Sequence, residues 1–507
     1  MLMSRESNIS SPMTKQERQK NLSIYAELGK HSASNDVAIV CGDTCMTYSE
    51  LFHKVIKYAA AFEKAGLGKN AKVMLLTGDP VSFVINFLVL LHIGAVPMPF
   101  YAHTGKSRIQ ETIEKYDINF VMSDNGETSV FEEAEGLSIG DSRIYPISDQ
   151  IDQSLEDTVL ILFSSGTTGL PKAIMLTEKN IISNIQGISA YLKIKKNESM
   201  LLIKNLNHSS TIIGEICVGL YNGCRIVFTR KLVTTKNICN LLEEEKINIF
   251  FAVPTILKDI LVYREKHDVD FNELRCVNFY SAPIPLEDLN RLLNVFEGVN
   301  FIYSYGQTEA SPRITYIERN DLVRKLKSSG KCIKDVSLRI ADENGKSVRN
   351  GVNGEIVVSG PNVMKGYYRN EELTVKKIRN HELYTGDMGY LDEDGFLYVN
   401  GRNDNMIISA GKNIYPEEIE EVFASFPGVE CAYVDAVASS NQTQKLTAYI
   451  VLYDKKKIDK HALSQHVKNH LENYKIPAEV YVVDQIGRTL NGKISRGQTF
   501  EEKEKLM

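Results

Sequence analysis

Residues 163–172 read FSSGTTGLPK and overlap the end of an apolar run that extends from Thr158 to Phe163. Glycine, serine and threonine after a strand give a backbone that can turn inward, so that its N–H and hydroxyl groups converge on phosphate oxygens. Lys172 adds a positive charge for a phosphate or for the loop itself. The spacing differs from the GxxxxGK[ST] nucleotide loop, so these residues alone predict anion binding and leave a plain surface turn open.

Short apolar runs alternate with helical patterns on both sides of this loop. The runs read as strands are Lys72 to Thr77, Ala95 to Phe100, Asn119 to Ser123, Thr158 to Phe163, Ile226 to Phe228, Ile249 to Val253, Cys276 to Ser281 and Phe301 to Tyr305. Such alternation over about 300 residues predicts an α/β fold with largely parallel sheets.

The pattern changes twice in the last third of the chain. After Gly330, strands separated by turn residues predict a β-rich subdomain of meander or barrel type, over residues 330–402. Past Arg402, a helix near Pro416 and mixed strands and helices predict a small, separate α+β domain over residues 403–507. We therefore expect a flexible tail over residues 1–20 and a large N-terminal domain over residues 21–402.

Composition excludes several classes of protein. The 507 residues are 43% hydrophobic and 24% charged with a net charge of −5, and no clustered basic residues indicate nucleic-acid binding. The eight cysteines are scattered, which favours buried free thiols in a reducing cytosol over a structural zinc site. The most apolar run, Phe83 to Phe100, contains His92, Gly94 and two prolines, so it predicts a buried helix and strand rather than a membrane span. The polar N-terminus does not resemble a signal peptide.

Further motifs follow the loop in a fixed order: YGQTE at residues 305–309, YTGD at 384–387, GRND at 401–404 and LNGKISR at 490–496. An aromatic ring, a hydroxyl and a carboxylate at the end of a strand suit a nucleotide site in an α/β fold. Together, these motifs resemble those of the adenylate-forming superfamily, which includes acyl-CoA ligases, adenylation domains of nonribosomal peptide synthetases and beetle luciferases. The resemblance extends from about Thr47 to Arg496, nearly the whole chain.

The resemblance implies a site for ATP and Mg²⁺. Tyr305 would stack on adenine, Thr308 would contact the α-phosphate and Glu309 would hold the metal. Asp387 would bind the ribose hydroxyls and Arg402 would also reach the nucleotide. The remaining nucleotide-binding residues that it implies are Ser164, Ser165, Gly166, Thr167, Thr168, Gly169, Lys172, Ser281, Ala282 and Pro283.

The resemblance also implies a moving C-terminal domain. Lys493 would be catalytic together with Thr308 and Glu309, because a cation contributes most where charge develops in the transition state. Asp404 would be the hinge about which the domain turns between two half-reactions. Gly411 would then line the tunnel for a pantetheine thiol, where a side chain would obstruct it.

The acyl pocket is expected to lie near His208 and Tyr280. No aspartate occurs from Lys204 to Thr229, the region where relatives that activate amino acids hold the α-ammonium, which argues against an α-amino acid substrate. Tyr280 and Ser281 stand where glycines are usual in the superfamily, so we expect a narrowed pocket that favours an aryl or short-chain acid.

The resemblance therefore implies an enzyme, an AMP-forming acid–thiol ligase that joins a small carboxylic acid to CoA through an acyl-adenylate. An alternative acceptor is the phosphopantetheine of an acyl-carrier protein acting in trans. A non-catalytic adenylate-binding sensor is the alternative from another class, and the complete set of motif residues argues against it, because a binding site need not keep groups that act only in a transition state.

Overall fold

The computed structural model describes residues 23–102, 104–124, 136–164, 171–230, 233–280, 284, 286–409, 412–438, 444–453, 458–488, 494–498, 500 and 504–506. Local chemistry sets where the helices begin. A reciprocal capping box between Thr47 and Glu50 begins the helix Tyr48–Lys64, and Asp79 caps the helix Pro80–His92 ahead of Pro80. The helices are α1 Ile24–Leu28, α2 Tyr48–Lys64, α3 Pro80–His92, α4 Lys106–Tyr116, α5 Glu178–Leu192, α6 Ser209–Thr211, α7 Val218–Asn222, α8 Thr235–Glu244, α9 Pro254–Arg264, α10 Leu286–Val295, α11 Arg319–Arg324, α12 Glu371–Lys377, α13 Pro416–Ala424 and α14 Lys460–His470.

The strands alternate with these helices in the first part of the chain and follow one another in the later part. They are β1 Val37–Cys41, β2 Thr44–Thr47, β3 Lys72–Leu76, β4 Val96–Pro99, β5 Phe120–Asp124, β6 Leu137–Ile139, β7 Ser142–Pro146, β8 Leu160–Ser164, β9 Lys172–Leu176, β10 Ser199–Leu202, β11 Arg225–Phe228, β12 Ile249–Ala252, β13 Cys276–Phe279, β14 Asn300–Tyr305, β15 Thr315–Glu318, β16 Ser328–Cys332, β17 Ser337–Ala341, β18 Gly354–Ser359, β19 Gly366–Tyr367, β20 Ile378–Arg379, β21 Glu382–Leu391, β22 Leu397–Arg402, β23 Ile407–Ser409, β24 Lys412–Ile414, β25 Val429–Ala438, β26 Gln444–Leu452, β27 Glu479–Val482 and β28 Glu504–Lys505.

The largest sheet in the described part of the chain has 14 strands, in the order β17-β18-β21-β22-β16-β15-β14-β13-β12-β10-β11-β1-β2, with β20 beside β21. Its middle, from β1 through β11, β10, β12 and β13 to β14, is parallel. The strands from β15 onward pair antiparallel. The α/β architecture predicted from the sequence is therefore confirmed.

The predicted β-rich region is continuous with the large sheet. Strand β16 pairs with β15 on one side and with β22 on the other, which joins the antiparallel strands to the parallel ones. The sequence pattern does not predict this junction, because tertiary contacts, and not local pattern, determine which distant strands pair.

Smaller sheets surround the large one. Strands β4-β3-β5-β7-β6 form a second sheet, and β19-β9-β8 form a third. Helix α3 is buried along nearly its whole length and belongs to the largest hydrophobic cluster, which explains its continuous apolar sequence. The prediction of a buried helix followed by a buried strand is confirmed here by α3 and β4. No helix in the described residues combines the length and the apolar character that a membrane crossing requires.

The hydrophobic clusters of the described residues divide near position 400. The clusters of the first part reach as far as Leu397, with Val399 packed against them. Two further clusters contain residues from Ile407 onward and are built on α13, α14 and the sheet β25-β26-β27-β28. The segment between Leu397 and Ile407 therefore connects two separately packed cores.

Candidate active site

The carboxyl end of β14 carries Tyr305, and two strands of the antiparallel region bring their side chains to it. The Tyr305 hydroxyl donates a hydrogen bond of 2.5 Å to Oδ2 of Asp387. Nη1 of Arg402 donates a hydrogen bond of 3.0 Å to Oδ1 of the same carboxylate. Asp387 and Arg402 lie opposite each other on β21 and β22, so sheet register fixes this contact. Three residues from separate motifs thus meet at one point.

Burial and charge shape the protonation of this group. Burial raises the pKa of the Tyr305 hydroxyl, and the Asp387 carboxylate raises it further, so Tyr305 remains a donor. Burial also acts to lower the pKa of Arg402, but the carboxylates of Asp387, Asp404 and Glu309 outweigh it and the net pKa is raised. Arg402 is therefore a permanent cation beside Asp387 and Tyr305.

Thr308 and Glu309 lie in a short 3₁₀ turn, Thr308–Ala310, just beyond β14. The Thr308 and Ser209 hydroxyls are 3.1 Å apart and share a hydrogen bond. Glu309 Oε1 accepts a hydrogen bond of 3.0 Å from the Tyr367 hydroxyl, and the main chain of Met364 donates to the Glu309 carbonyl. Burial raises the pKa of Tyr367, as does the adjacent carboxylate of Glu309, so this donor is also retained.

The residues present fit a magnesium ion that is bound mainly through nucleotide phosphates. Mg²⁺ is usually held by one or two carboxylates together with substrate oxygens and water. Glu309 supplies such a carboxylate: it is half-buried and is oriented through a single oxygen by Tyr367. Groups of three or more metal-binding side chains do not occur among the described residues.

The glycine-rich loop connects two antiparallel strands. Ser164, at the end of β8, lies opposite Lys172, at the start of β9, so the loop is the connection of a hairpin. Lys172 is half-buried at its base. Ser165, Gly166, Thr167, Thr168 and Gly169 lie outside the described residues, as do Ser281, Ala282 and Pro283. Their predicted roles stay predictions.

Lys377 is a residue that the sequence analysis missed. It lies close to Gly386 and Arg402, since a Cβ atom added to Gly386 would be 2.8 Å from Lys377 Nζ and 3.1 Å from Arg402 Nη2. Burial lowers the pKa of Lys377, against the opposing effect of Glu355 and Asp404. No motif marks this lysine, because it lies near the end of α12 in a sequence rich in lysine.

The residues predicted for the acyl pocket lie on two separate segments of the chain. His208 precedes α6 and is half-buried. Tyr280 is buried and its hydroxyl donates a hydrogen bond of 3.2 Å to Glu215. Glu215 belongs to a π-helical segment, Ile212–Cys217, and forms an ion pair with Lys204. Glu215 was not predicted, because only aspartate was sought in this region. A single charged residue within the apolar segment Ile212–Cys217 could have identified it.

The hinge candidate Asp404 lies in a 3₁₀ turn, Asn403–Asn405, between the two packed cores, and its side chain is 69% exposed. Gly411 lies outside the described residues, between the paired strands β23 and β24. Lys493 also lies outside them. The neighbouring Arg496 is held by two hydrogen bonds, of 2.6 and 2.8 Å, to Glu420 on α13.

The structure thus brings Tyr305, Thr308, Glu309, Asp387 and Arg402 together at the carboxyl end of β14, with Ser209 next to Thr308. Asp404 adjoins this group through Arg402, whose Nη2 is 3.5 Å from its carboxylate. Tyr280 belongs to a separate group of side chains around Glu215.

Comparisons with known proteins agree with this arrangement. The model of the family described as AMP-binding enzyme matches residues 29–368, and that of the AMP-binding enzyme C-terminal domain matches residues 418–493. A feruloyl-CoA synthase from Amycolatopsis sp is 28% identical over 467 residues, which cover 91% of this chain and 94% of the relative. A 2-succinylbenzoate–CoA ligase from Bacillus licheniformis is 28% identical over 466 residues, covering 91% and 95%.

Solved structures resemble the whole chain as well. The o-succinylbenzoate-CoA synthetase of Bacillus subtilis, in complex with its acyl-adenylate intermediate, superimposes with a TM-score of 0.82 at 25% identity, over 95% of this chain and 99% of that one. The same synthetase with ATP and a magnesium ion gives a TM-score of 0.81 at 25% identity, over 94% and 98%. The chain belongs to the family of AMP-binding enzymes, the adenylate-forming acid–thiol ligases.

Proposed function

We propose that this chain is an ATP-dependent carboxylic acid:CoA ligase that forms an acyl-adenylate and releases AMP and pyrophosphate. The observation that carries the proposal is the convergence of Tyr305, Asp387 and Arg402 beside the turn that holds Thr308 and Glu309. The relatives include a feruloyl-CoA synthase and a 2-succinylbenzoate–CoA ligase, and both names refer to aryl acids. An aryl acid is therefore the first substrate class to test.

The first half-reaction follows from the chemistry of these groups. A carboxylate oxygen of the acid attacks the α-phosphorus of ATP, a new P–O bond forms, and the bond to pyrophosphate breaks. Asp387 orients the ribose through its carboxylate oxygens, while Arg402 and Thr308 donate toward the phosphate. Lys493 stabilises the negative charge that develops on the reacting oxygens. Magnesium held at Glu309 would neutralise charge on the departing pyrophosphate.

The second half-reaction requires Lys493 to leave the crevice. In our proposal the C-terminal domain, residues 403–507, turns about Asp404 and presents Gly411 to the tunnel through which the thiol enters. The thiol then attacks the acyl carbon and AMP departs. The separate hydrophobic cores and the exposed turn around Asp404 support this division. Lys493→Ala should abolish ATP–pyrophosphate exchange and largely spare thioester formation from supplied acyl-adenylate, whereas equal loss of both steps would contradict it.

The thiol acceptor and the compartment are part of the same proposal. All eight cysteines are free thiols, which suits a reducing cytoplasm, where CoA is also reduced. The phosphopantetheine of an acyl-carrier protein is the alternative acceptor, since it carries the same thiol.

The test is pyrophosphate release with ATP and Mg²⁺ against aryl, short-chain, long-chain and amino acids, each with and without CoA. We expect one class of acid to support turnover that CoA stimulates. ATP–pyrophosphate exchange on an acid without any CoA-dependent product would favour an acyl-carrier protein as the thiol acceptor. Binding of ATP without AMP formation for any acid would favour the adenylate-binding sensor.

A further inference from the structure

A buried group of charged side chains surrounds Tyr280 and takes no part in the nucleotide site. Lys204 Nζ lies 4.0 Å from the centroid of the Tyr280 ring, and the guanidinium carbon of Arg313 lies 4.8 Å from it. The Tyr280 hydroxyl donates to Glu215 Oε1, which also pairs with Lys204. We call these four residues, Lys204, Glu215, Tyr280 and Arg313, the cation cluster.

The cation cluster adjoins the place where the acid reacts. Two successive serines connect them, because the hydroxyl of Ser209 contacts Thr308 at 3.1 Å while the hydroxyl of Ser210 accepts a hydrogen bond of 3.2 Å from Lys204. A second connection runs through the YGQTE segment, whose Gly306 packs against the main chain of Pro312 so closely that an added Cβ would be 1.9 Å from its carbonyl oxygen. Arg313 follows directly.

The charges of the cation cluster do not balance. It contains two cations and one carboxylate, and the Glu215 side chain is fully buried. Arg313 is only 4% exposed, and its Nε and Nη2 atoms, like Oε2 of Glu215, are buried without a hydrogen-bond partner in the described part of the chain. Burying charged donors without partners is costly, and the cluster has one positive charge in excess, so the arrangement suits an additional anion.

The main chain that carries Arg313 is fixed on both sides. Asn184 accepts a hydrogen bond of 3.3 Å from the Arg313 N–H and donates one of 2.8 Å to the Arg313 carbonyl. Asn362 donates a second hydrogen bond, of 3.2 Å, to that carbonyl. A guanidinium on such a fixed segment is organised before a ligand arrives, which reduces the entropic cost of binding.

Space for a ligand group lies on the side of Lys204. Lys204, Asn205 and Asn207 line a cavity of about 210 Å³ together with Phe100 and Tyr101. Glu215 lies on the π-helical segment, an irregularity that is frequent at functional sites. Of the four residues of the cation cluster, Lys204 lines this cavity, and Arg313 lies behind it on the ring of Tyr280.

We propose that the carboxylic acid carries a second anionic group, such as a second carboxylate, which binds to Arg313 and Lys204 while the first carboxylate is activated. Arg313 provides two unpaired donor nitrogens for it, Nε and Nη2, and Lys204 provides the second positive charge. This inference rests on the proposed function and narrows its substrate to acids with two negative charges.

Matched acids test the inference in the unmodified enzyme. ATP–pyrophosphate exchange is measured with straight-chain and benzene dicarboxylic acids and with the monoamide of each, which has nearly the same shape and one charge fewer. We expect kcat/KM for the best diacid to exceed that for its monoamide by at least about tenfold, the effect of a hydrogen bond to a charged group. Exchange with the monoamides but not with the diacids would overturn the inference and leave the proposed function intact. Exchange with neither series in a preparation that binds ATP would also overturn the inference, and exchange with another acid of the wider panel would then leave the proposed function intact.

Variants of Arg313 distinguish binding from a structural role. Arg313→Gln should reduce the preference for the diacid to about one, whereas Arg313→Lys should retain part of it because the charge remains. Arg324→Gln, at an exposed arginine, serves as the control and should keep the full preference. If Arg313 instead pairs only with Glu215, Arg313→Gln will weaken exchange equally for diacid and monoamide, and the inference fails.

Discussion

Asp387 and Arg402 face each other across β21 and β22, with Arg402 Nη1 3.0 Å from Asp387 Oδ1. The second oxygen of the carboxylate accepts the Tyr305 hydroxyl. Each carboxylate oxygen has two lone pairs, so Asp387 can hold these two partners and still accept hydrogen bonds from a ribose. Asp387 therefore holds Arg402 and Tyr305 in place and still has lone pairs free to accept hydrogen bonds from the nucleotide.

Asp387→Asn should weaken ATP binding, because an amide cannot accept from the ribose with both of its polar atoms. We expect the dissociation constant for ATP, measured by titration calorimetry, to rise at least about tenfold. Asp392→Asn is the matched control: Asp392 also pairs with a cation, Lys325 at 2.8 Å, but follows the far end of the same strand. Unchanged ATP affinity in Asp387→Asn would exclude a ribose contact.

Gly386→Ala should impair adenylation through Lys377 and Arg402. The added Cβ would be 2.8 Å from Lys377 Nζ, so both cations must shift. Gly395 offers a close control, since its φ of +77° matches the +80° of Gly386 and nothing lies within 4 Å of its added Cβ.

Both alanine variants should lose about 1 to 2 kcal/mol of stability from the left-handed backbone. Only Gly386→Ala should also slow pyrophosphate exchange, by about tenfold to a hundredfold. The rate of ATP–pyrophosphate exchange and the thermal unfolding of both variants are measured. Equal exchange rates in the two variants would show that the close contact of Lys377 and Arg402 with Gly386 has no role in adenylation.

Tyr367→Phe should raise the magnesium requirement. Without the hydroxyl, Glu309 loses the hydrogen bond of 3.0 Å that orients its carboxylate. We expect the Mg²⁺ concentration for half-maximal exchange to rise about tenfold, the lower end of effects seen for groups that orient metal ligands.

Tyr368→Phe controls for the loss of a buried hydroxyl. The Tyr368 hydroxyl donates to Asp152 at 2.7 Å and does not face Glu309. This variant should lose stability and keep the magnesium dependence of the unmodified enzyme. A similar shift in both variants would show that Tyr367 acts on overall stability instead.

The activity toward diacids should depend on the charge of Lys204. Burial lowers the pKa of Lys204 to about 8, although the Glu215 carboxylate opposes this and Arg313 adds to it. The ammonium loses its proton as the pH rises through this value, so kcat/KM for the diacid should fall above about pH 8. Glu215, Arg313 and Tyr280 are the other titratable or charged groups around it.

Lys204→Arg provides the check, because a guanidinium keeps its charge throughout this range. In this variant, kcat/KM for the diacid should stay level to about pH 9.5. In the unmodified enzyme, kcat/KM for the monoamide should decline less than kcat/KM for the diacid. A decline of the same size in Lys204→Arg would assign the titration to another group.

The sequence was sufficient to predict much of the fold. The buried strand expected at Lys72 to Thr77 is β3, Lys72–Leu76, and the helix expected from Pro416 is α13, because apolar runs and helix-start signals are local. It did not predict β9 or β21. Strand β21 contains Thr385, Gly386 and Asp387, residues that on local evidence suggest a turn, and its pairing with β18 and β22 overrides that preference.

The site was predicted where motifs were contiguous and missed where it depends on tertiary contact. Tyr305, Thr308 and Glu309 were found because they lie in one stretch. Lys377 was missed because the packing of α12 beside β21, and not a local sequence pattern, places it next to Gly386. The cation cluster was missed because Lys204 and Glu215 are separated from Arg313 by about one hundred residues, and no local pattern connects them.

The central claim is that the acid passes through an acyl-adenylate, and oxygen labelling tests it most directly. The enzyme is supplied with ATP, Mg²⁺, CoA and an acid whose two carboxylate oxygens are ¹⁸O, and the products are examined by mass spectrometry. The account predicts one ¹⁸O in AMP, one in the thioester carbonyl and none in pyrophosphate, because the attacking oxygen remains on phosphorus when the thiol displaces AMP. Unlabelled AMP, or label in inorganic phosphate together with ADP, would contradict it.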